Sequence, residues 1–102
     1  MIASDIQSKI PTVLELFRAN KIKSAYLFGS VLTDRFSEAS DVDFLVSFQD
    51  GLDPLERGEL WWKLHDSLRE KLNREVDIVT ESSLKNPYFI KDINATKVKI
   101  YG

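Results

Sequence analysis

Three aspartates and one Gly-Ser pair carry the chemical content of this sequence. Asp41 and Asp43 stand two residues apart at the entrance of an apolar run, Ser40-Asp41-Val42-Asp43-Phe44-Leu45-Val46. In an extended strand, residues i and i+2 point to the same side, so both carboxylates aim at one spot, with alpha carbons about 7 Å apart. Like charges repel there, and burial adds to the cost unless a cation neutralises them. Two convergent carboxylates suit a hard cation; magnesium favours one or two of them, completed by water and phosphate oxygens. Asp77, between Val76 and Ile78, is a second anomaly of the same kind. If its strand lies beside that of Asp43, three carboxylates could hold two metals roughly 3.5–4 Å apart, an arrangement suited to in-line phosphoryl or nucleotidyl displacement. Gly29-Ser30 closes the run Ser24-Ala25-Tyr26-Leu27-Phe28. A glycine there lets a phosphate approach the backbone, the following helix offers free amides, and Ser30 adds a hydroxyl. Taken singly these signals are weak. Most Gly-Ser pairs are ordinary turns, most Asp-x-Asp pairs are capping or solvated, and Asp77 could be paired with Arg74 or Lys71. The joint pattern is far more specific than its parts.

The elements that must position these groups follow from periodicity. Ser4 or Asp5 can cap a first helix, along which Ile6, Ile10, Val13, Leu14 and Phe17 recur at helical spacing. Pro11 either starts that helix or kinks it, and Asn20 marks its end. Ser24–Phe28 predicts a strand, and Ser30 is placed to cap a short helix through about Arg35. Val42–Phe48 predicts a second strand, with Asp41, Asp43, Leu45 and Ser47 on one face and Val42, Phe44, Val46 and Phe48 on the other. Asp53-Pro54 reads as a cap and first turn of the longest helix, about Pro54 to Asn73, with a stripe of Leu60, Leu64, Leu68 and Leu72 joined by Trp61. Trp62 cannot share the centre of that stripe, since neighbours on a helix are about 100° apart. One ring therefore packs inward and the other is left partly exposed, either incidentally or as a partner surface. His65 reads as a flank residue. Val76–Val79 predicts a third strand, and the tail holds a short helix and an alternation at Val98, Ile100 and Tyr101. The expected fold is α/β of the α+β kind: a small mixed sheet with helices packed on it.

Composition narrows the function. The chain has 102 residues, enough for one core in one domain, with 43% hydrophobic and 29% charged residues. It has no cysteine, which excludes disulfides, zinc thiolates and cysteine nucleophiles and permits a reducing compartment. No apolar run approaches the roughly 20 residues that span a bilayer, and the first residues do not resemble a signal peptide, so a cytoplasmic protein without a membrane role is expected. The net charge of -2 argues against broad binding of long nucleic acid.

With these residues in place, the sequence resembles the minimal nucleotidyltransferases, small relatives of the DNA polymerase beta superfamily. The resemblance rests on Gly29-Ser30, on Ser40–Val46 and on Arg74-Glu75-Val76-Asp77-Ile78-Val79-Thr80. It extends to the closing Asn86–Gly102 and so covers nearly the whole chain. It implies the nucleotidyltransferase fold over residues 1–102. Asp41 and Asp43 would hold two Mg2+ ions and the nucleoside triphosphate, Asp77 would complete the metal at the acceptor hydroxyl, and Gly29 and Ser30 would grip the triphosphate. It further implies transfer of AMP from ATP to a tyrosine of a HEPN-type toxin, with this chain as the antitoxin.

One segment departs from the family pattern. The family commonly follows Gly-Ser with a stretch ending in Arg-Gly, whereas Val31-Leu32-Thr33-Asp34-Arg35 stands here. An added acid near a triphosphate weakens its binding. The alternative is therefore a weak or inactive domain that neutralises its toxin by contact. A small-molecule nucleotidyltransferase fits less well, because such relatives carry an added helical domain. A phosphatase with an aspartate nucleophile fits poorly, since Phe44-Leu45 follows the Asp-x-Asp where Gly-Thr is usual.

Overall fold

A computed structural model describes residues 2–102. The element order is α1 (Ser4–Gln7), α2 (Ile10–Ala19), β1 (Ile22–Phe28), a 3-10 turn (Gly29–Leu32), β2 (Val42–Phe48), α3 (Pro54–Leu72), β3 (Val76–Thr80), a second 3-10 turn (Glu81–Ser83), α4 (Pro87–Thr96) and β4 (Val98–Tyr101). The strands form one sheet in the order β3-β2-β1-β4. β1 is antiparallel to both β2 and β4, while β2 and β3 run parallel. Parallel neighbours need a long crossover, and α3 supplies it.

Local chemistry explains the boundaries. Pro11 lies in the first turn of α2, where its missing N–H costs nothing, so the chain breaks into two helices rather than one kinked helix. Ala3, not Ser4 or Asp5, occupies the cap position of α1, without a side-chain cap. Asp53 caps α3 as expected, its Oδ1 accepting the Glu56 N–H at 2.9 Å. Asn73 ends α3 in the left-handed conformation (φ 52°), which asparagine tolerates. Asn86 caps α4, accepting the N–H groups of Tyr88 at 2.9 Å and Phe89 at 3.3 Å.

Helices α2 and α3 cover one face of the sheet. There Val13, Phe17, Leu64, Leu68 and Leu72 pack with Leu27, Val42, Phe44, Val46 and Ile78, and Phe17 meets Phe44 edge to face at 5.8 Å. Leu60 and Trp61 are only half-buried. The Trp61 Nε1–H donates to the Ile78 carbonyl at 3.2 Å, whereas Trp62 is 61% exposed. His65 stacks on Trp61, ring centroids 5.2 Å apart. A smaller cluster of Phe28, Leu45 and Ile93 lies on the opposite face beneath α4. Both faces of β2 are thus covered, so Leu45 is buried although it shares a face with Asp43. Among the described residues no helix is long and apolar enough to cross a membrane.

Candidate active site

The register of the sheet brings the acids together. Phe28 pairs with Asp43 across β1–β2, and Asp43 pairs with Asp77 across β2–β3. Paired residues in adjacent strands share a face, so Asp43 and Asp77 are direct neighbours although far apart in sequence. The Val42 N–H donates to the Glu75 carbonyl at 3.1 Å and joins the two strands at this end. Asp41 stands one residue before β2 and is exposed; Asp43 is half-buried and Asp77 exposed.

The electrostatics follow the geometry. The Asp43 carboxyl is pushed up to about 6, first by burial, then by the charge of Asp77 and then by that of Asp41. Both neighbouring acids therefore act on Asp43. Among the described residues no group of three or more His, Cys, Asp or Glu side chains is arranged to hold a metal ion. Asp77, in register, and Asp41, two residues back, flank Asp43 with oxygen-only side chains at the solvent-facing end of the strands. Asp77 has no ion pair with Arg74, which bonds Asp5 instead.

Gly29 sits against this cluster. It ends β1 with φ +80°, a conformation that favours glycine, and a Cβ there would collide with Asp43 Oδ2 and stand 3.4 Å from Asp43 Cγ. Ser30 does not cap a helix through Arg35. The turn is 3-10, ends at Leu32 and has no side-chain cap. The Ser30 carbonyl instead accepts both the N–H and the Oγ1–H of Thr33, each at 2.9 Å. Val31 is fully buried and Leu32 partly so, while Thr33, Asp34 and Arg35 are exposed. The departing segment is therefore half core and half surface.

Two features of the site carry little local signal in the sequence. Helix α4 covers the acid-bearing face below Asp43, where Phe89 packs edge to face on Phe28 at 6.1 Å. Arg74, three residues before Asp77, reaches back into the loop before Asp41. Its only sequence signal is a cation beside an apolar strand. An open groove of about 900 Å³ lies at the other end of the strands, lined by Ser24, Phe48, Gly51, Pro54, Trp61 and Thr80 among others. It contains none of Gly29, Ser30, Asp41, Asp43 or Asp77. Concavity alone would point away from the acids; register and charge point to them.

Comparison with known proteins shows the family and the fold. Residues 11–102 match the family model described as polymerase beta, nucleotidyltransferase. A proposed protein adenylyltransferase of Methanocaldococcus jannaschii is 38% identical over 73 residues, covering 72% of this chain and 70% of that protein. A second from the same organism is 35% identical and covers 84% of each. A solved structure of a proposed minimal nucleotidyltransferase superposes with a TM-score of 0.74 at 28% identity, covering 96% of this chain and 95% of that one. A toxin–antitoxin complex crystallised with AMP-PNP gives 0.71 at 27% identity, over 91% of this chain and 73% of the other. A chain from the complex of a tri-AMPylated Shewanella oneidensis HEPN toxin with its MNT antitoxin gives 0.65 at 26%, over 94% and 71%.

Proposed function

The chain belongs to the polymerase beta nucleotidyltransferase family and is a nucleotidyltransferase of the minimal type; from that premise we propose that it moves AMP from ATP to a tyrosine hydroxyl of a HEPN-type toxin, acting as the antitoxin. The observation that carries the reading is the in-register pair Asp43–Asp77 with Gly29 packed directly against Asp43. Support for the acceptor comes from the relatives named as protein adenylyltransferases and from the AMPylated toxin complex.

The proposed roles follow from position. Asp41, Asp43 and Asp77 are the residues that would hold Mg2+. They fit it by two observations: an oxygen-only donor set, and mutual repulsion on Asp43 that a cation relieves. When bound, Mg2+ would supply charge neutralisation and polarisation of the phosphate oxygens. The Gly29-Ser30 turn is the proposed contact for the triphosphate: without a Cβ, Gly29 lets the turn lie directly against the Asp43 carboxylate, and Ser30 adds a hydroxyl. The acceptor oxygen attacks the α-phosphorus and forms a new P–O bond. The bond from that phosphorus to the bridging oxygen breaks, and pyrophosphate leaves. The acceptor proton passes to Asp77 or to solvent. The test is transfer of label from α-labelled ATP to a HEPN-type partner with Mg2+. Asp43→Asn should abolish labelling while the protein remains folded, and full activity in that variant would refute the assignment.

A second reading, a contact antitoxin with a weakened nucleotide site, is favoured by the exposed Asp34 in the turn after Ser30. Calorimetry separates the two. Tight partner binding without ATP–Mg2+ binding supports the contact reading.

A further inference from the structure

The loop from Thr33 to Asp41 lies between the Gly-Ser turn and the first aspartate and contains no helix or strand. Its internal bonds are few and local. The Phe36 N–H donates to the Thr33 carbonyl at 3.4 Å, the Ser40 N–H to the Ser37 carbonyl at 3.1 Å, and the Ser37 N–H to Ser40 Oγ at 3.0 Å. Its ends are held, at Thr33 by the Ser30 carbonyl and at Val42 by the Glu75 carbonyl, but short-range turns alone do not fix the path between them.

Two side chains tie it to the rest of the molecule: Phe36 of the loop packs against the core, and Arg74 reaches across to the loop backbone. Arg74 Nη1 donates to the Ser37 carbonyl at 2.6 Å and to the Ser40 carbonyl at 3.1 Å. Arg74 Nη2 donates to Asp5 Oδ2 at 2.9 Å, and the guanidinium lies over the Phe36 ring, 4.3 Å from its centroid. The side chain is only 9% exposed, so its charge is buried and the surrounding acceptors satisfy it. The planar fork suits this set: two carbonyls, one carboxylate and one ring face. An ammonium group is a point charge and cannot serve all four at once.

We propose that Arg74 is a positioning residue that clamps the loop between the Gly-Ser turn and Asp41 and so sets where Asp41 stands relative to Asp43 and Asp77. The clamped Ser40 carbonyl is one peptide from Asp41. The backbone of Arg74 leads within three residues to Asp77. A single residue therefore references both flanks of the acid cluster to one another, without touching substrate. Asp5 anchors the outer side of the guanidinium, and the arginine in turn holds that carboxyl below its usual range. The link from Arg74 to metal binding rests on the function proposed for the three aspartates; the clamp itself does not.

The test compares Arg74→Lys and Asp5→Asn with the parent protein by two readouts. The first is hydrogen exchange of the amides of Ser37–Asp41 in metal-free protein. The second is calorimetric Mn2+ titration in the presence of AMP-PNP. Bonds to a charged donor are worth about 1.5–3 kcal/mol, so Arg74→Lys should speed local exchange and weaken Mn2+ binding by about tenfold or more. Asp5→Asn, which keeps both carbonyl bonds, should change Mn2+ affinity less than about threefold even where it lowers thermal stability. Parent-like exchange in Arg74→Lys would overturn the clamp. Parent-like Mn2+ affinity in that variant despite a loosened loop, or an equal loss in Asp5→Asn, would overturn its link to Asp41. Absence of Mn2+ binding in the parent would overturn both that link and the metal assignment, while exchange would still decide the clamp.

Discussion

Gly29 and Asp43 meet so closely across the β1–β2 pair that no side chain fits between them: any Cβ at position 29 would run into the Asp43 carboxylate. The backbone there is also left-handed, which costs a non-glycine residue about 1–2 kcal/mol. Gly29→Ala should therefore lower stability by about that much and cut nucleotidyl transfer at least tenfold, because the only relief is displacement of Asp43. Chemical denaturation and an ATP transfer assay, run on the same preparation, check both parts.

Asp43 sets the pH response. Its folded-state value, about 6, lies above the ordinary 3.8. Between these values the folded state binds more protons than the unfolded one, so stability falls as pH rises through that window. The Asp5–Arg74 pair acts with the opposite sign, since a lowered carboxyl value stabilises above the ordinary 3.8 and is lost on further acidification. The two effects occupy different pH ranges. Urea midpoints measured with EDTA should decline from about pH 4 to about pH 6, and Asp43→Asn should flatten the decline.

If the acids hold Mg2+ as proposed, adding the ion at pH 7 should restore the stability that ionised Asp43 removes, through preferential binding to the folded state. EDTA should abolish transfer. Thermal melts with and without Mg2+ in the parent and in Asp43→Asn measure this directly; the variant should respond much less.

The neighbouring tryptophans should behave differently. Trp61 bonds the Ile78 carbonyl and stacks on His65, so Trp61→Phe should cost about 1 kcal/mol. Trp62 is exposed, and Trp62→Ala should stay within about 0.5 kcal/mol. Denaturation curves of the two variants decide this.

Helix α4 covers the acid-bearing face through Ile93 and Phe89, and Asn86 caps it. Asn86→Ala should cost about 1 kcal/mol and loosen the first turn of α4 before the rest of the fold. Hydrogen exchange at Tyr88 and Phe89 would report that loosening.

Much of this arrangement was readable from the chain because short-range physics dictates it. Asp53-Pro54 announces the start of α3, alternation marks β2, and Asp77 stands out as an acid within an apolar strand. What sequence could not show depends on long-range pairing. Nothing local reveals that β4 joins β1 at the far edge, or that α4 closes over Leu45. Local sequence predicts a longer turn after Gly29, capped by Ser30. Val31 and Leu32 enter the core instead and halt it at Leu32. Sequence proximity offers Arg74 as a partner for Asp77, but a neighbour in sequence need not be one in space, and its side chain bridges to a loop 34 to 37 residues earlier.

The parallel pairing of β2 with β3 has one more consequence. Two strands in that orientation must be joined by a long crossover, here α3, so Asp43 and Asp77 stand side by side only when β3 lies in its correct register. A slip of one residue would turn Asp77 toward the core and present Val76 or Ile78 in its place. The proposed catalytic constellation would thus be a gauge of completed folding: on that reading, a chain that has formed every helix yet misaligned one strand would be compact but inert.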